Sequence, residues 1–411
     1  MNVLLLAVFF DYLGVALVVP NLIFRFTELG GTAESYGILS AAYAASQLVG
    51  GVAIGFLGDR WLGRKRVLQL SFVGAGLSYL VVGLAETLFF LIASRVVVGL
   101  TKQTMTCSTA LVTSLSDEAS RTQALGRLSS TMTFAFIVGQ SAGGWLAQRY
   151  GRRAPCFAAA LLFGLNICLI QLLLPAEPRS AAKPAAAAAA DRSSLATLGE
   201  SLRRSKDAFR GGGGRMLLLR LSYALLIRSC YSMHSLYESR EWAVTPAISG
   251  SLASYNQLLG LAVDWMVVGK LVSRIPEGSL LCACLLLASL NAGLESQHRH
   301  FLIYAGVHLP VSAVLGRITR TCLASVFSKS VPMADQGLVL SVLDVCNSGI
   351  NIVAPLYGGF LVGRLGVAAQ PLIASAHYAT LLVPTWAVLT LMKRDAAAAL
   401  QRQRGADKKA D

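Results

Sequence analysis

Several apolar stretches of this chain contain ionisable side chains. Asp11 lies within a run that starts at the first residue, and Arg95 and Lys102 share another near 88–112; Arg228, Asp264, Arg317 and Asp344 interrupt four more. A charge at the centre of a bilayer costs about 2.5–3.5 kcal/mol on insertion scales, so it persists mainly where it faces a cavity or a partner. A carboxylate in such a place is a candidate proton carrier, because burial penalises its charged form while a nearby cation favours it. Asp11 is therefore either a coupling acid or half of a static ion pair with Arg95 or Lys102. The deep cations Arg95, Lys102, Arg228 and Arg317 equal or outnumber the deep acids Asp11, Asp264 and Asp344. A cavity with surplus positive charge favours organic anions. Arg95, near one end of its run, has the alternative of reaching to the membrane interface.

The elements that must position these groups are helices. The chain has 411 residues, is 55% hydrophobic and only 14% charged, with a mean hydropathy of +0.59; a soluble protein carries about 25% charged residues. Only helices and closed barrels satisfy their backbone in hydrocarbon, and the apolar runs exceed the roughly ten residues of a barrel strand. Runs near 2–24, 35–57, 67–85, 88–112, 125–147, 154–174, 216–237, 245–268, 278–295, 300–322, 336–362 and 370–392 predict an all-α membrane protein of twelve transmembrane helices. They form two six-helix halves, 1–174 and 216–392, joined by a Pro/Ala/Gly- and Lys/Arg-rich cytoplasmic linker at 175–215 and followed by a basic tail at 393–411. The first run holds Asp11 and Pro20 and lacks a basic leader, which reads as a retained span and not a signal peptide. It opens at the initiator methionine with no polar segment before it, which leaves the start of the chain an open question.

Of the 36 Lys and Arg residues, 23 fall in the loops and tail on one side of these spans and 7 on the other. This asymmetry predicts that both termini are cytoplasmic. It also argues against nucleic acid as the reason for the net charge of +15. The eight cysteines lie in or at the edges of spans without metal-ligand spacing, as small apolar residues do.

A diverged repeat supports the two halves. Residues 102–151 slide onto 317–366 without a gap, giving thirteen identities in fifty positions, with Lys102 on Arg317 and Gly143-Gly144 on Gly358-Gly359. Gln47-Leu48-Val49-Gly50 likewise matches Gln257-Leu258-Leu259-Gly260. Parallel-related halves with a site between them near mid-membrane describe an alternating-access carrier. Lys102, Arg317, Asp344, Gln47 and Gln257 are the candidate cavity residues.

The loop after the second span reads Gly55-Phe-Leu-Gly-Asp59-Arg60-Trp-Leu-Gly63-Arg64-Lys65-Arg66. It resembles the signature of the major facilitator superfamily, with one residue more than usual between Arg60 and Gly63. The resemblance implies the major facilitator fold and a gate in which Asp59 pairs at the inner helix ends while Arg64 and Lys65 meet helix C-termini. Arg95-Val-Val-Val-Gly99 resembles the Arg-x-x-x-Gly element of superfamily proton antiporters, whose arginine faces the first helix and takes part in coupling. Phe10-Asp11-Tyr12 through Pro20 resembles the first helix of twelve-span drug:proton antiporters. The fifth span ends Gly139-Gln140-Ser141-Ala142-Gly143-Gly144, with glutamine where the antiporter motif has proline; the second copy, Ala354-Pro355-Leu356-Tyr357-Gly358-Gly359, keeps it. Small residues here permit close helix packing, and the missing proline weakens antiport relative to symport.

Together with Arg320-Thr321-Cys322, these pieces resemble the animal major facilitator superfamily domain-containing protein nine group and the tetracycline-transporter-like proton antiporters. The resemblance implies a proton-coupled carrier of a small organic solute, with Asp11 and Arg95 in coupling. A gradient-insensitive uniporter and a non-transporting membrane scaffold or sensor of the same fold are the alternatives. No P-loop lysine or catalytic constellation points to an enzyme, and no cofactor is expected. The expected partners are the lipid bilayer, a small organic solute and protons, around a monomeric chain.

Overall fold

A computed structural model describes residues 2–57, 61–174, 212–298, 300–331 and 336–410. Twelve membrane-spanning helices run through them: Asn2–Glu28, Ala33–Leu57, Gly63–Leu84, Leu88–Ser114, Arg121–Tyr150, Ala154–Leu173, Gly212–Glu241, an eighth built from Pro246–Val263, Asp264–Val268 and Gly269–Arg274, then Glu277–Glu295, Phe301–Lys329, Gln336–Leu365 and Gln370–Ala410. Nine helices among the described residues are long and apolar enough to cross a membrane by length and composition alone. The fifth, seventh and eighth fall short by that measure. The seventh helix opens at Gly212, inside the stretch expected to be linker, and the twelfth carries on through the basic tail.

Three irregularities matter for function. The fourth span is two helices, Leu88–Thr101 and Thr104–Ser114, separated by Lys102 and Gln103 in non-helical conformations. The eighth and tenth spans each contain one π-helical stretch, Asp264–Val268 and Tyr304–His308. Breaks and π turns of this kind frequently mark functional positions in helices.

The chain divides into two compact units. The first comprises the described residues within 1–189, 231–258 and 351–370. Its first helix packs on the fifth and sixth, the second on the fourth, and the third on the fourth and sixth. Small residues allow these approaches: a Cβ at Gly143 would run into the Leu17 backbone, one at Gly50 into Leu100, and one at Gly74 into Thr101. Tyr79 stacks on Phe163 at 5.6 Å between ring centroids, filling the space between the third and sixth helices.

The two repeat copies make matching contacts inside this unit. Gln140 presents its carbonyl to Gly250, and Pro355 presents its carbonyl to Gly37. Gly144 lies on Pro246 and Ala247, while Gly359, beside the buried Gly358, lies on Ala33 and Glu34. Ser141 donates to Ser254 at 2.7 Å, Thr245 to Gln148 at 3.0 Å, and Arg240 to the Gly31 carbonyl at 3.3 Å. All of these lie toward the helix ends opposite the amino terminus of the first span.

The second unit comprises the described residues within 190–230, 259–350 and 371–411. Its core is built from Met216, Leu219, Leu281, Leu285, Ile318 and Phe327. Ser289 and Ser375 exchange hydrogen bonds with each other's carbonyls at 3.0 and 2.8 Å, joining the ninth and twelfth helices.

Gly143→Val forces a branched side chain onto the Leu17 backbone. Overpacking of this kind costs about 1–3 kcal/mol, so the variant should melt several degrees below wild type in detergent. An unchanged melting temperature contradicts the packing.

Candidate functional site

The break in the fourth span is set by its neighbours. Gly50 and Gly74 let the second and third helices press on Leu100 and Thr101. Lys102 still donates its N–H to the Val98 carbonyl at 2.8 Å, but its ψ of 97° ends the helix. Ser71 on the third helix replaces the lost ladder: its hydroxyl accepts the Gln103 N–H at 3.1 Å and shares a bond with the Thr104 hydroxyl at 3.0 Å. The next helix starts in the protein interior, and the N–H groups of Thr104, Met105 and Thr106 have no acceptor within it.

At the break the Lys102 side chain reaches the first helix, where its ammonium meets Asp11 Oδ1 at 2.7 Å. Asp11 is fully buried and the Lys102 side chain is 11% exposed. The ammonium also lies over the rings of Tyr12 and Phe163, at 5.7 and 5.4 Å from their centroids. Thr104 is the carboxylate's other near neighbour, while Asp11 Oδ2 accepts no hydrogen bond. One carboxylate oxygen is thus fixed by a cation and the other is left unbonded.

Arg95 is placed differently. It is buried, donates to the hydroxyls of Ser78 at 3.1 Å and Ser94 at 3.4 Å, and lies over the Tyr79 ring at 5.2 Å. It does not reach the interface and makes no ion pair with Asp11. Gly99 packs on Tyr43 and Ser46 of the second helix, while the Lys102 side chain, at the last residue whose N–H bonds into the first half of the span, meets the first helix.

In the second unit, the repeat partner Arg317 pairs with Asp264 at 2.8 Å, where the eighth helix passes into its π turn. A Cβ on Gly260 would collide with the Arg317 guanidinium, so glycine is what lets the arginine lie there. This pair is far more open, with side chains 31% and 42% exposed. Arg320 donates to the Gly316 carbonyl at 3.2 Å, and Asp344 is exposed on the eleventh helix. Gln47 donates to the Tyr43 hydroxyl at 3.3 Å, and Gln257 is half-buried on the eighth helix.

At the expected gate, Gly63 has a φ of +74°, a left-handed conformation that favours glycine. Arg64 donates to the Ser114 hydroxyl at 3.1 Å and the Ala110 carbonyl at 3.4 Å, at the end of the fourth span. Lys65 donates to the Gln171 carbonyl at 3.2 Å and to that of Leu174, at the end of the sixth. Both cations thus meet the negative ends of helices. Gly55 lies in the second helix, and Asp59 and Arg60 lie outside the described residues.

Sequence reasoning missed Ser71, Ser78, Gln103 and Thr104, the polar groups that build the break and hold Arg95. The only signal was the polar triplet Lys102-Gln103-Thr104 inside an apolar run.

These features define a multi-pass helical membrane transporter. The chain matches the Major Facilitator Superfamily over residues 4–355 and belongs to that family. It is similar to the human solute carrier family 67 member A1, at 27% identity over 87% of this chain and 85% of the relative. A class C tetracycline resistance protein of Escherichia coli is 32% identical over 44% of this chain and 46% of its own. The crystal structure of the human organic anion transporter MFSD10 shares the fold, with a TM-score of 0.59 at 20% identity, covering 93% of this chain and 98% of the other.

Lys102→Gln strands a buried carboxylate. Removing one partner of a buried pair costs about 3–5 kcal/mol, so the melting temperature should fall, and fall more at high pH than at low pH, where Asp11 takes up a proton. Asp11→Asn/Lys102→Gln should recover most of the loss. Equal melting of the single variant and wild type at all pH values contradicts the pairing.

Proposed function

We propose that the chain is a proton-coupled secondary transporter of a small organic solute working by alternating access, with Asp11 as the group that carries the proton. The observation behind this is the Asp11–Lys102 pair: a fully buried carboxylate with one oxygen held at 2.7 Å and one unbonded, beside a backbone break. A purely structural pair is better served by full hydrogen bonding, since a partly satisfied buried network is costly. Loss or gain of one proton changes the charge of this site by a full unit in a low-dielectric interior, which is a large lever on conformation. Arg95, tied to Ser78, Ser94 and Tyr79, acts as a positioning residue for the fourth span.

Alternating access is supported by the close contacts of Gly144 and Gly250, and of Gly37 and Gly359, at one end of the first unit. With both termini cytoplasmic, that end is the outer one, and the outer entrance is closed. The inner-end contacts of Arg64 and Lys65 are the counterpart that tightens and loosens in the cycle. The deep cations Lys102 and Arg317 favour an organic anion as the solute. The chain works as a monomer in the bilayer.

The test is uptake and efflux of a mixed panel of organic solutes in proteoliposomes with and without an imposed pH gradient. Wild type should show gradient-driven flux, and Asp11→Asn flux indifferent to the gradient. Gradient-insensitive flux in wild type establishes a uniporter, with the pair as a static strut. Absence of flux for every solute favours a scaffold.

A further inference from the structure

The break in the fourth span has the parts of an anion site, and Asp11 occupies it. Lys102 supplies an ammonium, and the helix Thr104–Ser114 starts there with three N–H groups lacking internal acceptors. A half-helix amino terminus in the membrane interior attracts negative charge. Two buried polar atoms at the break are unbonded: Asp11 Oδ2, in a fully buried residue, and Gln103 Nε2, in a residue 8% exposed.

The groups around the carboxylate decide what can replace it. Among the described residues, Lys102 is the one charge in contact with it, and Tyr12, Tyr43 and Tyr79 are the further titratable groups that sense it. Arg95 lies beyond Tyr79. The fifth and sixth helices, packed on the first, bring Phe134, Phe136 and Phe163, and Asn166 donates to the Ala7 carbonyl at 2.8 Å. No second acid among the described residues stands by to accept Lys102.

We propose that this break is the binding subsite for the carboxylate of a monovalent organic anion, with Asp11 its built-in occupant, so that a proton and the anion cross together as a symport. The inference rests on the carrier function proposed above. A proton enters from water onto Asp11 Oδ2, the Lys102 ammonium keeps its own protons, and the substrate carboxylate takes the place that Asp11 gives up. Site charge is zero before, from Asp11⁻ and Lys102⁺, and zero after, from neutral Asp11, Lys102⁺ and the anion. Anion without proton leaves a buried net negative charge, and proton without anion a buried net positive one. Both are penalised by desolvation. Antiport needs the two ligands to exclude each other, whereas here each makes room for the other.

The experiment is binding of benzoate and p-aminohippurate to the purified full chain, read by thermal shift and by direct titration. Wild-type affinity should weaken about tenfold per pH unit above the carboxyl's own midpoint, as one linked proton requires. Asp11→Asn should bind at neutral pH as tightly as wild type does in acid, with no pH dependence. Asp11→Asn/Lys102→Gln, neutral at both positions and therefore spared a stranded charge, should lose binding. Affinity that rises with pH, weaker binding by Asp11→Asn, or no response to either probe overturns the proposal. Solute flux in vesicles without anion binding overturns the symport and leaves the carrier function standing. The expected binding pattern without flux supports the subsite and removes the carrier function.

Discussion

The interior of a membrane protein tolerates very little net charge, and that constraint organises the first unit around Asp11 and Lys102. Neither group is stable there alone. They meet at 2.7 Å at the point where the fourth span stops being a helix. The break in turn requires Ser71 to take up the Gln103 N–H, and Gly50 and Gly74 to admit the neighbouring helices. Substitutions at these supporting positions therefore act on the ion pair without touching it.

The two repeat copies have kept a cation at one depth and diverged in everything that defines its chemistry. Lys102 sits beside a break, sealed against the first helix, while Arg317 sits on an unbroken helix and pairs with the eighth. The sealed pair suits a group that must exchange a proton with little leak. The open pair, with side chains 31% and 42% exposed, suits contact with a solute. The packing glycines diverged less: Gly144 and Gly359 make matching contacts although one copy has Gln140 where the other has Pro355. The proline is therefore not what permits the close approach; a carbonyl at that position facing a glycine does so in both copies.

Much of this was legible in the sequence because hydrophobic run length reports membrane spans directly, and twelve runs became twelve helices with ends shifted by a few residues, except that the twelfth runs on through the tail to Ala410. The repeat was legible because Gly143, Gly144 and Arg149 leave identities at a fixed offset. Asp11 and Lys102 stood out for the same reason they matter, as charges in apolar surroundings. Their pairing was one of two options, and only the tertiary structure, with its break at Lys102, chooses between Arg95 and Lys102. That break has no Gly or Pro to announce it; it comes from tertiary contacts with Ser71, Gly50 and Gly74, which a local pattern cannot carry.

The central claim is that Asp11 gains and loses a proton within the working cycle. Infrared difference spectroscopy of the reconstituted protein reads this through the protonated-carboxyl band that Asp11→Asn abolishes. This band should grow as pH falls, and a bound organic anion should move its midpoint to higher pH. A carboxylate that stays ionised across the whole range, with and without anion, contradicts the claim.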